Sequence, residues 1–332
     1  KSFTIYGLYI TDENSDELAL FTDLKGDIKN LYVQNSVVHG GTITAGIASI
    51  ANDVSLKNIL FDGHVVGRKT NLTKSINTKP SVSDISLSSV EKTDYIDLTN
   101  NIPFIGSEIV STSITGNYVI TGSDEESTSI KINGVEITNG SFEIDLGSVI
   151  LDKIPVETST NSDEATLTFL NLSYNIEYNY AVAGGIIAVS DNTTIENAIN
   201  KAYVYGNNVS GGIVGVTTSA LNINQSYNVG NIDSEYVSGG LISTIEKSNN
   251  VIVVSKSYNT GEINSLNNGG LIGVASNNRD SILLSNVFNT SNNYSIGTIE
   301  GTVINVTNAY FVNGPTAIKN GSTNGNFVLT SM

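Results

Sequence analysis

Residues able to act as nucleophile, general base or metal ligand are sparse in this sequence and share no common spacing. Cysteine is absent and there are two histidines, His39 and His64, 25 positions apart. No His-Glu-x-x-His pattern occurs, which removes zinc-peptidase chemistry of that kind. Neither histidine has carboxylates or thiolates at a zinc-ligand spacing, so both read as surface turn or ladder residues at similar places in adjacent repeat units. Cleavage of a polysaccharide needs two or three convergent carboxylates, or calcium beside a base. The acids of the carboxy-terminal half, Asp191, Glu196, Asp233, Glu235, Glu246, Glu262, Asp280 and Glu300, fall mostly in turns and at no single register. The chain is therefore read as no enzyme, with no catalytic residue and no metal site. One oxygen-rich loop, Asp124-Glu125-Glu126, reads as a solvated acidic loop, with weak calcium binding as its alternative. No other cofactor is indicated.

A set of aromatic residues does recur. Tyr203, Tyr227, Tyr258, Phe288 and Tyr310 each follow a small or apolar residue (Ala202, Ser226, Ser257, Val287, Ala309). Two positions earlier stand Lys201, Gln225, Lys256, Asn286 and Asn308. Strand alternation puts each such pair on one face, and the lysines argue that this face points outward. The expected result is an outward aromatic stripe flanked by Lys201 and Lys256, either stiffening the array or contacting a glycan or protein. Ile199, Ile223 and Val254 fall in the same register and demand a bend just before the lysine.

These residues must be carried by a repeat. Glycine pairs recur at Gly184-Gly185, Gly211-Gly212, Gly239-Gly240 and Gly269-Gly270, with spacings of 27, 28 and 30 residues. Looser copies run through Ala19-Leu20-Phe21 and Ala45-Gly46-Ile47. Between the landmarks lie short apolar runs separated by Gly, Asn, Asp and Ser, with no helical periodicity. Strands so short are marginal alone. Stacked at ~4.8 Å, each pairs with its equivalent in the next unit and equivalent residues form ladders. The expectation is a right-handed parallel β-solenoid, or β-helix, over 1–75 and 180–332, with repeats of about 22–30 residues. The glycines would serve corners needing positive φ or close backbone approach.

Between the two parts the pattern changes. Residues 80–175 hold 15 acidic residues and three lysines, a net charge of −12 within a total of −16. Alternating stretches such as 109–114 and 165–170 read as strands, and Ser129–Ile137 reads as a hairpin turning at Asn133-Gly134. Residues 80–178 are thus expected to form an inserted β-sandwich. Arg68, Lys69, Lys74 and Lys79 cluster at the junction and read as a solvated linker, or as a contact for the acidic module.

Gly211-Gly212-Ile213-Val214-Gly215, Gly269-Gly270-Leu271-Ile272-Gly273 and Gln225-Ser226-Tyr227-Asn228-Val229-Gly230-Asn231-Ile232 resemble GLUG repeats. Phe3–Ile10 is similar to the segment that commonly leads into them. The resemblance covers roughly 1–67 and 183–312. It departs at Ser243, where the closing glycine is replaced, and after Asn293. The insertion, in its "KINGVEI…GSFEIDL" passage, resembles bacterial Ig-like modules. What the resemblance implies is a secreted or cell-surface bacterial protein of adhesin type, whose partners are extracellular proteins or glycans. The leading expectation is a rigid stalk displaying the acidic module. A glycan-binding or glycan-cleaving β-helix, and an accessory region of a larger secreted peptidase, are the alternatives. The acidic charge excludes nucleic acid, and no run of apolar residues is long enough to cross a bilayer as a helix. The chain opens directly on a strand at Lys1-Ser2-Phe3, which reads as a fragment of a longer surface protein.

Overall fold

The computed structural model describes residues 1–67, 73–80, 82–98, 108–122, 127–161, 165–246, 251–275, 281–291, 294–299, 304–312, 318–320 and 323–329. Among them there are strands and no α-helix, so none of them forms a helix able to span a membrane. The chain divides into two compact units, 1–72 with 180–332, and 73–179.

The first unit is a parallel β-solenoid of about nine turns. Three sheets run along it, of fifteen, six and eight strands, and the neighbours within each are equivalent segments of successive coils. One interior rung reads Leu31, Ile59, Ala198, Ser226, Ser257, Val287, Ala309 along the axis, with the exposed Phe3 paired to Leu31 at its first coil. Aliphatic ladders fill the core. Leu56, Ile195, Ile223, Val254 and Leu284 are all at most 1% exposed. Burying each such side chain contributes ~1.5–3 kcal/mol, which no single coil could realise by itself.

The glycine pairs stack in register, Gly184 on Gly211, Gly239 and Gly269. Their φ angles are ordinary, so close approach is the reason for glycine here. A Cβ on Gly211 would lie 1.9 Å from the carbonyl oxygen of Val214, three residues on. One on Gly212 would lie 2.1 Å from the carbonyl of Gly240 in the next coil. Ser243, the departure from the closing glycine, is fully buried, and its hydroxyl donates to the Val237 carbonyl at 2.9 Å.

The insertion sits inside one corner. The third coil is offset from the second by 28 residues at Leu56 opposite Ile28, and by 139 at Val182 opposite Ile43. In the second coil that corner is Gly40-Gly41-Thr42 alone. On both sides of the break the ladder continues. Gly67 N–H donates to Tyr205 O, and Val182 N–H donates to Thr42 O, each at 2.8 Å.

The second unit has two antiparallel sheets on one core that draws Ile114 and Tyr174 from one and Ile96, Ile130 and Ile154 from the other. Among the described residues it has nine strands; after the leading Thr73–Thr78, the other eight in chain order are Ile85–Ser86, Lys92–Asp97, Ile109–Thr121, Thr128–Ile132, Val135–Glu136, Ser141–Gly147, Lys153–Thr160 and Thr166–Asn179. First pairs with eighth, second with seventh, third with sixth and fourth with fifth. The roll closes by eighth on third and seventh on fourth. That is the order of a jelly roll. An immunoglobulin sandwich instead keeps strands A, B, E and D in one sheet and C, F and G in the other, so the Ig-like expectation is replaced at the level of strand order. The Asn133-Gly134 hairpin is present, with φ of 50° and 76° and Ile132 paired to Val135. Thr73–Thr78 runs antiparallel to Tyr174–Asn179, so the incoming and outgoing strands of the unit are hydrogen-bonded neighbours.

Candidate functional site

Four of the five expected aromatics form a continuous outward ladder. Tyr227 pairs with Tyr258, Tyr258 with Phe288 and Phe288 with Tyr310. The Tyr227 and Tyr258 rings stack with centroids 4.6 Å apart and planes 5° from parallel. Tyr310 is 39% exposed and the other three are half-buried.

Tyr203 belongs elsewhere. The residue opposite Tyr227 is Ile199, and Tyr203 pairs with His64. The doublet Ala202-Tyr203 imitates Ser226-Tyr227 in sequence but lies four residues further along the coil. Lys201 moves with it: Asn200 sits opposite Asn228, which places Lys201 beyond the stripe, exposed. Lys256 is exposed and two residues before Tyr258, as expected. It also occupies the bend that the apolar residues demanded. Asn30, Asn58, Asn197, Gln225, Lys256, Asn286 and Asn308 all have φ between 50° and 59°. Left-handed backbone at each rung turns the strand, so that Ile223 and Val254 point inward while Tyr227 and Tyr258 point outward. Asparagine is the L-residue that best tolerates this region, and the amides stack: Asn197 Nδ2 donates to Asn58 Oδ1 at 2.8 Å, and Asn308 to Asn286 at 3.0 Å.

What registers the coils is a second ladder, absent from the sequence reading. Asn200, Asn228, Asn259 and Asn289 are fully buried. Each Nδ2 donates to the next Oδ1, at 2.7, 2.7 and 3.2 Å. The second glycine of each pair lies directly over them, and a Cβ on Gly212 would come 2.5 Å from Asn228 Cγ. Phe61 and Phe311 occupy the flanking rungs and end the stack with apolar rings. The signal was visible as Asn two residues after Ser226 and Ser257, and as Gly-Gly ten or eleven residues beyond.

The histidines do not stack on one another. His64 lies opposite Val37, and His39 opposite Val66. His64 instead meets Tyr203 edge-on, with centroids 6.2 Å apart. Burial, then a hydrogen bond to Asp233 and that group's charge, push the Tyr203 phenol up to about 12. Burial and the neighbouring Tyr227 raise Tyr258 as well. Among the described residues no three His, Asp or Glu side chains gather as a metal site. Glu196 is engaged by Lys57 at 2.8 Å and Asp233 by Asn264 at 2.9 Å, on separate stretches of the surface. Asp124, Glu125, Glu126, Arg68, Lys69, Asp280 and Glu300 lie outside the described residues.

Comparison with protein-family models, with curated proteins and with solved structures finds no match.

Proposed function

We propose that this chain is a non-catalytic attachment region of a bacterial surface or secreted protein of the GLUG-repeat kind. In this reading the solenoid, right-handed as parallel crossovers usually are, is the rigid carrier. The acidic inserted module is the element that meets an extracellular ligand. The observation that carries it is the replacement of one three-residue corner by a whole folded unit while the strand ladder continues on either side. A module whose two ends are neighbouring strands can be spliced into such a corner without disturbing the array. That is how a binding unit is added to a stalk.

The glycan-active alternative places function on the aromatic stripe. Its geometry favours a mechanical role. Two rings stacked at 4.6 Å spend their facing surfaces on each other and present edges, whereas a sugar ring packs on an exposed aromatic face. An accessory region of a secreted peptidase is compatible with the same carrier role, with the chemistry encoded elsewhere.

The test is a glycan and extracellular-protein binding array probed with the full chain and with a Tyr227→Ala, Tyr258→Ala double variant. The display reading expects the same ligands to be retained by both. Loss of binding in a double variant that remains folded would transfer recognition to the stripe.

A further inference from the structure

We infer that the free edge of Ser141–Gly147, an outermost strand of the five-stranded sheet in the inserted module, receives an extended segment of a protein partner as a further strand. The segment it fits carries lysine or arginine at alternate positions. The inference rests on the display reading above and gives the ligand of that reading its chemistry.

Among the described residues Ser141–Gly147 pairs with Ile109–Thr121 alone. Tyr118 N–H donates to the Gly140 carbonyl at 2.9 Å, so the next hydrogen-bonded pairs of this antiparallel ladder are Gly116 with Phe142 and Ile114 with Ile144. The N–H and C=O groups of Ser141, Glu143 and Asp145 therefore point away from the sheet, and no described backbone group meets them. Its one irregularity lies at the far end, opposite Thr112 and Ser113. An edge of this kind is a template for strand addition.

The module's other edges suit that role less well. The opposite edge of the same sheet is divided between Thr73–Thr78 and Ile85–Ser86, and Val135–Glu136 has only two residues. Lys92–Asp97 is continuous, but its charges are engaged locally. Lys92 holds Asp94 at 2.8 Å, and Lys153 stands 4.0 Å from Asp97.

Charge selects the occupant. Phe142, Ile144 and Leu146 pack on the module's core, which leaves Ser141, Glu143 and Asp145 exposed on the outer face. Glu143 has no ion pair or hydrogen bond among the described residues. Asp145 accepts the Gly147 N–H of its own strand at 2.8 Å. Neither this strand nor the neighbouring Ile109–Thr121 contains a lysine or arginine. A second copy laid antiparallel on the edge, centred on Glu143 or on Ile144, would set carboxylate against carboxylate, which is destabilising. A strand with cations at alternate positions sets one against each carboxylate instead, and the carboxylate excess of the surrounding segment draws it in.

The experiment titrates the full chain with a synthetic peptide of alternating lysine and threonine, by calorimetry at low salt and by hydrogen exchange. Binding should slow exchange at the amides of Ser141, Glu143 and Asp145. The same peptide N-methylated at alternate residues keeps its charge and loses its strand donors, and should bind about tenfold more weakly. Glu143→Gln should weaken the parent peptide about threefold, the effect of one cross-strand ion pair. Glu177→Gln removes an equal charge elsewhere on the same sheet and should leave binding unchanged, and both variants should keep the wild-type melting temperature. An N-methylated peptide that binds as well as its parent, or equal losses in the two variants, would reduce the effect to bulk charge and overturn the edge. Slowed exchange at those three amides on concentrating the chain alone would assign the edge to a second copy and overturn it too. Failure of the peptide to bind would also overturn it. If extracellular proteins were still captured in that case by the full chain, and not by a folded chain lacking the insert, the display reading would survive without this edge.

Discussion

The side-chain amide of Asn228 donates to Asn259 at 2.7 Å in the next coil and receives the amide of Asn200 at 2.7 Å from the coil before. All three are fully buried, so the stack fixes one register among the sliding alternatives that a parallel array otherwise permits.

Replacing Asn228 by Leu should leave one N–H of the Asn200 amide and one lone pair of the Asn259 side-chain oxygen without a partner, the other of each being held by Ala202 O and Gly261 N–H. Each buried polar group left without a partner costs ~1–3 kcal/mol. A urea or thermal melt of the solenoid should show a large loss. A melt within error of wild type would mean that the amides are not engaged.

Ser226 is fully buried at the bend, where its hydroxyl accepts from Ala198 N–H at 3.0 Å and donates to Asn224 O at 2.9 Å. Ser226→Leu overfills that rung and leaves the Ala198 amide without its acceptor. The expected loss is ~1–3 kcal/mol from overpacking alone, read as a lowered melting temperature. An unchanged one would reverse the assignment of Tyr227 to the outside.

Glycine positions separate two physical causes. Gly212→Ala puts a methyl 2.1 Å from the Gly240 carbonyl and should open the coil stack, with the solenoid's melting transition lowered or lost. Gly134→Ala, at φ 76° with nothing within 4 Å, should cost only the ~1–2 kcal/mol of left-handed strain. If Gly134→Ala proved the more damaging of the two, close approach would not be the reason for the glycine pairs.

Lys256 holds φ of 51° in a ladder otherwise made of asparagines and one glutamine. Lys256→Asn should stabilise the solenoid by up to ~1 kcal/mol by relieving that strain. A fall in melting temperature would contradict the bend as described.

The Tyr203 phenol, at about 12, gives up its proton later in the folded chain than in the unfolded one, where the ordinary value is ~10. Its contribution to stability is therefore complete below pH ~10 and is lost as pH rises through about 12. Ultraviolet titration of phenolate should show a late component that shrinks in Tyr203→Phe. An undiminished late component would assign it to another tyrosine.

Much of the solenoid was legible because its rule is written in the chain. The glycine pairs recur at near-constant spacing, and they do stack. The small-then-aromatic doublet was a less reliable marker. It located four rungs correctly and misplaced Tyr203, because equivalence is set by backbone pairing and the buried Asn200–Asn228 bond, not by residue likeness. The asparagine ladder escaped notice because asparagine is also the commonplace residue of surface turns, and nothing local marks Asn228 as buried. In the insert, strands and the Asn133-Gly134 turn could be read from alternation. Their pairing could not, since a jelly roll and an immunoglobulin sandwich share strand lengths and differ only in long-range partners such as Ile114 with Tyr174. The β-bulge opposite Gly116 joins strands more than fifty residues apart, and so had no signature in sequence.

The most direct measurement replaces residues 67–181 with the Gly40-Gly41-Thr42 corner of the preceding coil and probes the shortened chain on the same binding array. The account predicts a folded solenoid, by circular dichroism and melting, that has lost its ligands. A folded shortened chain that binds as the full chain does would contradict it, and would return recognition to the coils.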